Sequence, residues 1–150
     1  RLAVQGANAS SRAALSMTLA RQRRLPPAAA AGFLAPYNTW ERRAAVYQFV
    51  RDIPARPSHP TWATLAQLEQ GLGRLQEMPK LLVWGEADWC FTTECLTRFL
   101  EIWPDAAVCR LSDVGHWVLE DAPEEALDAV ATFLNSTSLA ATTATMSTNA

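Results

Sequence analysis

Residues 81–88 read LLVWGEAD and residues 114–117 read VGHW. The first stretch is an apolar run of strand length that delivers a carboxylate, Asp88, shortly after Gly85. Continuous apolar runs of this length are typical of strands buried on both faces of a parallel sheet. The second stretch delivers His116 directly after a glycine, at the exit of a further short strand. The residues between them suffice for one helix and one strand, which predicts two parallel strands, each followed by a functional side chain.

The second half of the chain contains these strands together with two predicted helices. A strand over Lys80–Trp84 precedes a helix that Thr92 or Thr93 caps and that carries apolar residues at helical spacing. Ala107–Leu111 reads as the next strand, and a last helix starts near Asp121, with proline and acidic residues in its first turn. The order strand–helix–strand–helix predicts an α/β fold with a parallel sheet.

The first half, residues 1–78, reads as helices joined by proline-rich links. An alanine-rich helix is predicted over residues 8–24 and ends before a pair of prolines. Residues 32–37 then read as an extended link, and Asn38 reads as the N-cap of the next helix. After a proline-rich connector, a single apolar stripe predicts a helix from about Thr61.

Three segments follow from these patterns: helices over 1–78, an α/β core over 79–135 and a tail over 136–150. The tail is rich in Ser, Thr and Ala with little to bury, so we expect it to be disordered or a linker. The chain begins without Met and without a signal peptide, which favours a fragment of a longer protein.

Composition narrows the function. The net charge is −2, so nothing favours nucleic acid as a partner, and no apolar run is long enough for a membrane span. The three cysteines are odd in number, which argues against a disulfide framework and favours a reducing cytoplasm, and they also lack metal-type spacing. We expect no metal and no cofactor.

Asp88 and His116 are the candidate catalytic residues. Both follow strand ends, and the carboxyl ends of parallel strands form the ligand-binding edge of such a sheet. A carboxylate against imidazole Nδ1–H fixes the tautomer, and the free Nε2 then activates a hydroxyl or a water. Taken singly, Asp88 also fits a turn or cap residue and His116 a buried structural histidine. Their joint order matches the last two members of a nucleophile–acid–base triad.

Neighbouring polar residues have simpler interpretations. Asp113 is expected to close a turn, and His59 to occupy a turn or N-cap between prolines. Glu120 and Asp121 are expected to shape the loop behind the histidine, with Asp121 chiefly a helix cap.

Aromatic residues surround both catalytic turns. Trp84 is expected to be an ordinary core residue, whereas Trp89, Phe91 and Trp117 are expected to line an apolar substrate pocket.

Longer motifs resemble a known family. The stretches PKLLVWGEADWCF at 79–91, Trp103-Pro104 and GHWVLEDA at 115–122 resemble the haloalkane dehalogenase branch of the α/β-hydrolases. GFLAPYNTW at 32–40 and FVRDIP at 49–54 resemble its cap domain. Within that branch, the β-lactone decarboxylases of long-chain olefin biosynthesis resemble the chain most. The resemblance covers roughly residues 6–134.

The resemblance implies the C-terminal part of an α/β-hydrolase fold preceded by a helical cap segment. It implies an aspartate nucleophile, an acid at Asp88 and a base at His116, acting on a small apolar substrate that Asn38 and Trp40 also face. The chain departs from the family in lacking the nucleophile turn and the oxyanion-hole loop, and in carrying Trp117 where a smaller aromatic residue is expected.

Three functions remain open on the sequence alone. The chain is part of a hydrolase and inactive alone, or a catalytically dead remnant that serves as a binding or interaction module. In a third interpretation, it complements a separate chain that holds the missing N-terminal half of the fold.

Overall fold

A computed structural model describes residues 1–22 and 24–147, with side chains up to residue 137. The chain divides into two compact units. The first contains residues 1–18 and 24–74, and the second contains residues 19–22 together with the chain from Leu75 onward.

The first unit is helical. A π-helical turn over Leu2–Gly6 precedes four α-helices. They are α1 (Ala9–Met17), α2 (Pro27–Leu34), α3 (Ala44–Asp52) and α4 (Trp62–Gly71). Short 3-10 turns follow α2 at Ala35–Tyr37 and α4 at Leu72–Leu75.

Three sequence predictions in this unit are wrong. Helix α1 ends at Met17 instead of Arg24, because the backbone N–H groups of residues 20–22 bond to a distant side chain. The segment predicted as extended is largely helical, because Pro27 is pre-organised for the first turn of a helix and the alanines that follow propagate it. Asn38 does not begin a helix, and α3 starts at Ala44.

The second unit is the α/β part of the chain. Strand β1 (Leu81–Gly85) leads through α5 (Thr93–Ile102) to β2 (Ala107–Leu111). A short helix α6 (Val118–Asp121) then precedes α7 (Pro123–Ser147). These strands and helices agree with the predicted strand–helix–strand–helix order. Helix α7, however, continues through the region predicted to be disordered or a linker.

The two strands pair in parallel, in a register that places Leu81 opposite Ala107 and Gly85 opposite Leu111. The described residues contain this one sheet of two strands. Most of β1 is only half-buried, whereas the sequence predicts burial on both faces. The reason is that a two-stranded sheet has too few neighbours to cover each strand.

A small apolar cluster fixes the carboxyl ends of these strands. Leu111, Val114 and Ala122 are buried there, and partly buried residues that include Val83 and Val118 pack against them. The cluster therefore holds together the two loops that leave β1 and β2. Among the described residues, no helix is long and apolar enough to cross a membrane.

Candidate active site

The loops after β1 and β2 are joined by backbone hydrogen bonds. Glu86 N–H donates to the Leu111 carbonyl at 2.9 Å, and Ala87 N–H donates to the Val114 carbonyl at 3.0 Å. Asp88 N–H closes a tight turn onto the Gly85 carbonyl at 3.2 Å. The residue before Asp88 is thus attached to the loop that leads to the histidine.

Gly85 is required by the closeness of these loops. A Cβ atom at this position would lie 2.5 Å from the Val114 carbonyl oxygen and would also overlap the Gly115 carbonyl oxygen. Gly85 does not have a positive φ, so backbone conformation is not what requires a glycine at this position. Glycine is present here because no side chain fits between the two backbones.

The Asp88 carboxylate is held in a fixed orientation. Its Oδ1 atom accepts hydrogen bonds from the backbone N–H groups of Cys90 at 2.7 Å and Phe91 at 3.1 Å. Only 8% of the side chain is exposed. With Oδ1 occupied by the chain that follows, Oδ2 is directed to a separate partner.

That partner is His116. Its Nδ1 atom lies 2.8 Å from Asp88 Oδ2, within hydrogen-bonding distance. Because an ionised carboxylate only accepts, Nδ1 carries the proton, and the neutral imidazole presents Nε2 as a base. The imidazole is 27% exposed, so the ring is accessible from solvent. This pair has the arrangement of a carboxylate that orients a histidine general base.

Aromatic rings adjoin the pair. The Phe91 ring lies 5.2 Å from the imidazole between centroids, with the planes tilted by 42°. Trp84 Nε1–H donates to the Phe91 carbonyl at 3.0 Å, which ties this loop to β1. Phe91 and Trp89 are more than half exposed, and Trp117 is half-buried at the start of α6. Phe91 is therefore the predicted pocket residue for which a contact with His116 is established.

Two other predicted pocket residues belong to the helical unit. The Asn38 side-chain oxygen faces the Arg42 guanidinium at 3.4 Å. The Trp40 carbonyl accepts from Gln5 Nε2 at 3.0 Å, and the Arg1 guanidinium lies over the Trp40 ring. Asn38 and Trp40 therefore both make contacts inside the helical unit. That they face a substrate pocket stays a prediction.

Asp121 bonds to the loop behind the histidine, as the sequence predicts, and it also holds a segment about a hundred positions earlier. Its side chain is fully buried and accepts hydrogen bonds from the N–H groups of Gly115, Ala20, Arg21 and Gln22. Burial raises the pKa of this carboxyl, but the four backbone bonds lower it by more, so its pKa lies below the ordinary value. The prediction that Asp121 is chiefly a helix cap is wrong.

Arg21 links the same region at the surface. Its guanidinium pairs with Asp113 at 2.7 Å and also with Glu125. The Arg21 hydrogen bond is the main cause that holds the pKa of Asp113 below its usual range. Asp113 lies in the turn after β2, as the sequence predicts, and it is also an ion-pair residue.

No local signal identifies Arg21 and Asp121 as partners, because they lie about a hundred positions apart.

His59 does occupy a turn, where its Nδ1 accepts from Thr61 N–H at 3.3 Å. Within the described residues, no group of three or more His, Cys, Asp or Glu side chains is arranged to hold a metal ion.

Comparison with known proteins finds relatives of this chain. No protein-family model matches the chain. The cis-3-alkyl-4-alkyloxetan-2-one decarboxylase of Xanthomonas campestris pv. campestris is 35% identical over 112 residues, which cover 75% of this chain and 37% of the relative. The decarboxylase of the same name from Shewanella oneidensis is 32% identical over 110 residues, covering 73% of this chain and 35% of the relative.

The solved structures agree. The DbeA-M1 loop variant of haloalkane dehalogenase from Bradyrhizobium elkanii aligns with a TM-score of 0.83 at 24% identity. The alignment covers 95% of this chain and 46% of the dehalogenase. The chain spans little more than a third of the length of the curated relatives that it matches.

The fold and these relatives define the class of protein as an α/β-hydrolase. Within that class, the chain resembles the haloalkane dehalogenases in fold, and its sequence is similar to decarboxylases of alkyl oxetanones. The fold class and family that the sequence predicts are confirmed.

Proposed function

We propose that this chain supplies the acid and the base of an α/β-hydrolase active site, with Asp88 as the acid residue and His116 as the base. The observation that carries the proposal is the 2.8 Å contact between His116 Nδ1 and Asp88 Oδ2 at the carboxyl ends of two parallel strands. Ligands of open α/β sheets bind at this edge. The second contact of Asp88, with the backbone of the loop that follows, supports its role in orienting the ring.

The chemistry assigned to His116 is proton transfer. An aspartate nucleophile from a further polypeptide segment attacks the substrate and forms an ester, while the carbon–halogen bond of a haloalkane breaks to release halide or a ring C–O bond of an oxetanone opens. His116 Nε2 then accepts a proton from the water or group that resolves this intermediate, while Asp88 stabilises the resulting imidazolium. The chain contains no Gly-x-Asp-x-Gly or Gly-x-Ser-x-Gly turn, so it needs a nucleophile from a further polypeptide segment.

The proposed substrate is small and apolar with one reactive polar group. Phe91 places an aromatic ring beside the imidazole, which suits an alkyl substrate better than a charged one. The name of the bacterial relatives describes such a molecule, a four-membered cyclic ester that carries two alkyl groups. We therefore propose alkyl oxetanones as the first substrates to test, and haloalkanes as the second.

The proposed partner is the N-terminal half of the fold, which would pair with the two-stranded sheet and bring the nucleophile turn. An experiment can test this directly. The chain is mixed or co-expressed with the N-terminal part of the Xanthomonas decarboxylase, and turnover of an alkyl oxetanone and a 1-haloalkane is measured. We expect no turnover by the chain alone and measurable turnover by the assembled pair.

The control uses the chain's two histidines. His116→Ala should abolish the turnover, whereas His59→Ala, in the turn that contacts Thr61, should leave it unchanged. An assembled pair that is equally active with His116→Ala would refute the proposal. A pair that assembles but turns over none of the substrates would favour a binding module.

A further inference from the structure

The proposed chemistry makes no use of Asp121, although it is the best-satisfied carboxylate of the second unit. Its side chain has no exposed surface. Oδ2 accepts from Gly115 N–H at 2.8 Å, from Ala20 N–H at 2.8 Å and from Arg21 N–H at 3.1 Å, and Oδ1 accepts from Gln22 N–H at 2.6 Å. A buried charge of this kind is tolerated only where hydrogen bonds replace its hydration.

The four donors require a carboxylate in particular. They divide between both oxygens, so each oxygen has to act as an acceptor. The amide of asparagine offers only one acceptor oxygen, and its NH₂ group would face a backbone N–H whichever way it turned. The site therefore selects ionised aspartate over its closest isostere.

One of the four donors is the N–H of Gly115, the residue directly before His116. The preceding residue, Val114, is held from the other side, because its carbonyl accepts from Ala87 N–H at 3.0 Å. The two bonds hold one peptide group, Val114–Gly115, through its carbonyl and through its N–H, and His116 is the residue that follows. Its χ1 direction, and so the approach of Nδ1 to Asp88, depends on this backbone.

We propose that Asp121 is a positioning residue for His116. It fixes the Gly115 peptide and thereby sets the direction from which the imidazole reaches Asp88. Because the same carboxylate holds residues 20–22, that short segment belongs to the support of the site although it lies about a hundred positions earlier. The inference rests on the proposed Asp88–His116 pair and goes beyond it by naming what holds the pair in place.

Imidazole nitrogen NMR on the full chain tests this proposal. The tautomer of a neutral histidine is set by the hydrogen bond of the other ring nitrogen, so a pair with Asp88 favours Nδ1–H. With Asp121→Asn, the Gly115 N–H loses its acceptor, so the loop no longer holds the imidazole in place against Asp88. We expect the ratio of Nδ1–H to Nε2–H tautomer at His116 to fall by roughly tenfold. A residue that only stabilised the fold would leave this ratio unchanged in the folded variant.

Glu120→Gln is the matched control, because it makes the same charge change at the adjacent position of α6. Within the described residues, the Glu120 side chain makes no hydrogen bond that the change would remove. We expect the tautomer ratio of wild type to persist there. An unchanged ratio in a folded Asp121→Asn chain would overturn the inference, and absence of the Nδ1–H form in wild type would instead overturn the proposed function.

A second measurement covers the case in which Asp121→Asn does not fold. In the unchanged chain, the Gly115 amide should exchange its proton at least about tenfold more slowly than an unstructured glycine, although it lies in a loop. Exchange at the unprotected rate would show that Asp121 does not hold this peptide and would overturn the inference.

Discussion

The backbones of Gly85 and Gly115 lie in direct contact, with no space for a side chain at position 85. This contact joins the last residue of β1 to the residue before His116. It sets how near the two loops approach, and hence the distance between Asp88 and His116.

Replacement of Gly85 by alanine should destabilise the chain. The added Cβ meets backbone atoms, which cannot move aside as a flexible side chain would. We expect a loss of about 1–3 kcal/mol in the free energy of unfolding. Urea denaturation measures this loss, and Gly32→Ala is the control because open space surrounds that position in α2. The control should gain about 0.5–1 kcal/mol from better helix propensity, and equal effects of both changes would contradict the prediction.

Asp88→Asn should reduce activity in the assembled enzyme without disturbing the fold. The amide keeps the size of the side chain but cannot both accept from the loop and accept from Nδ1–H as the carboxylate does. We expect kcat to fall by about 10⁴-fold, the magnitude seen when a residue that orients a catalytic histidine loses its charge. Asp105→Asn, in the exposed turn before β2, should leave kcat unchanged. A decrease below about tenfold would argue against the assigned role.

Asp121 should contribute to the loss of stability in acid. Its pKa in the folded chain lies below the ordinary value, so its contribution is complete above the unfolded-state pKa of about 3.9. The contribution is lost as the pH falls through the lower, folded-state pKa. Burial opposes the lowering of this pKa, and the hydrogen bonds from the four backbone N–H groups cause it.

Asp121→Asn should therefore destabilise the chain strongly near neutral pH and much less at an acid pH below the folded-state pKa, where the wild-type carboxylate is itself protonated. Because buried N–H groups lose acceptors, we expect a cost of at least about 2 kcal/mol at neutral pH. Urea unfolding at both pH values measures it. If the cost were the same at both pH values, ionisation of Asp121 would not be its cause.

Arg21→Met should have a small effect that depends on salt. Its partners Asp113 and Glu125 are substantially exposed, so solvent and ions screen both pairs. We expect a slight decrease in thermal stability at low ionic strength that disappears in 1 M NaCl. The measurement is a thermal melt at both salt concentrations. A large loss that persists at high salt would show that packing of the Arg21 stem, and not its charge, is important.

The strands and α5 are predictable from sequence because their signals are local. The apolar run over 81–84 predicts β1, and the helical spacing of apolar residues up to Trp103 predicts α5. Neither prediction depends on contacts with distant parts of the chain. The contact of Asp88 with His116 follows from the parallel arrangement, since both residues leave the same edge of the sheet. Their catalytic role stays a prediction.

The helical unit is harder to predict because its helices start where the sequence indicates breaks. Pro27 reads as a helix breaker but begins α2, and Asn38 reads as an N-cap although helix α3 starts at Ala44. Asn8 does stand at the N-cap position of α1, yet its amide donates to the Tyr37 carbonyl at 3.2 Å instead of capping. The start of α2 follows from local proline geometry, whereas the Asn8 contact is a tertiary hydrogen bond that a single sequence does not display.

The connection between residues 20–22 and Asp121 also has a kinetic consequence. Closing a loop of about a hundred residues loses chain entropy before the hydrogen bonds to Asp121 can offset that loss. Contacts of such high sequence separation slow folding. The strands and α5 can form earlier from near neighbours, whereas the carboxylate gains its donors only when the two distant segments meet. We expect the imidazole to reach its working orientation in a late step of refolding, after most of the secondary structure is in place.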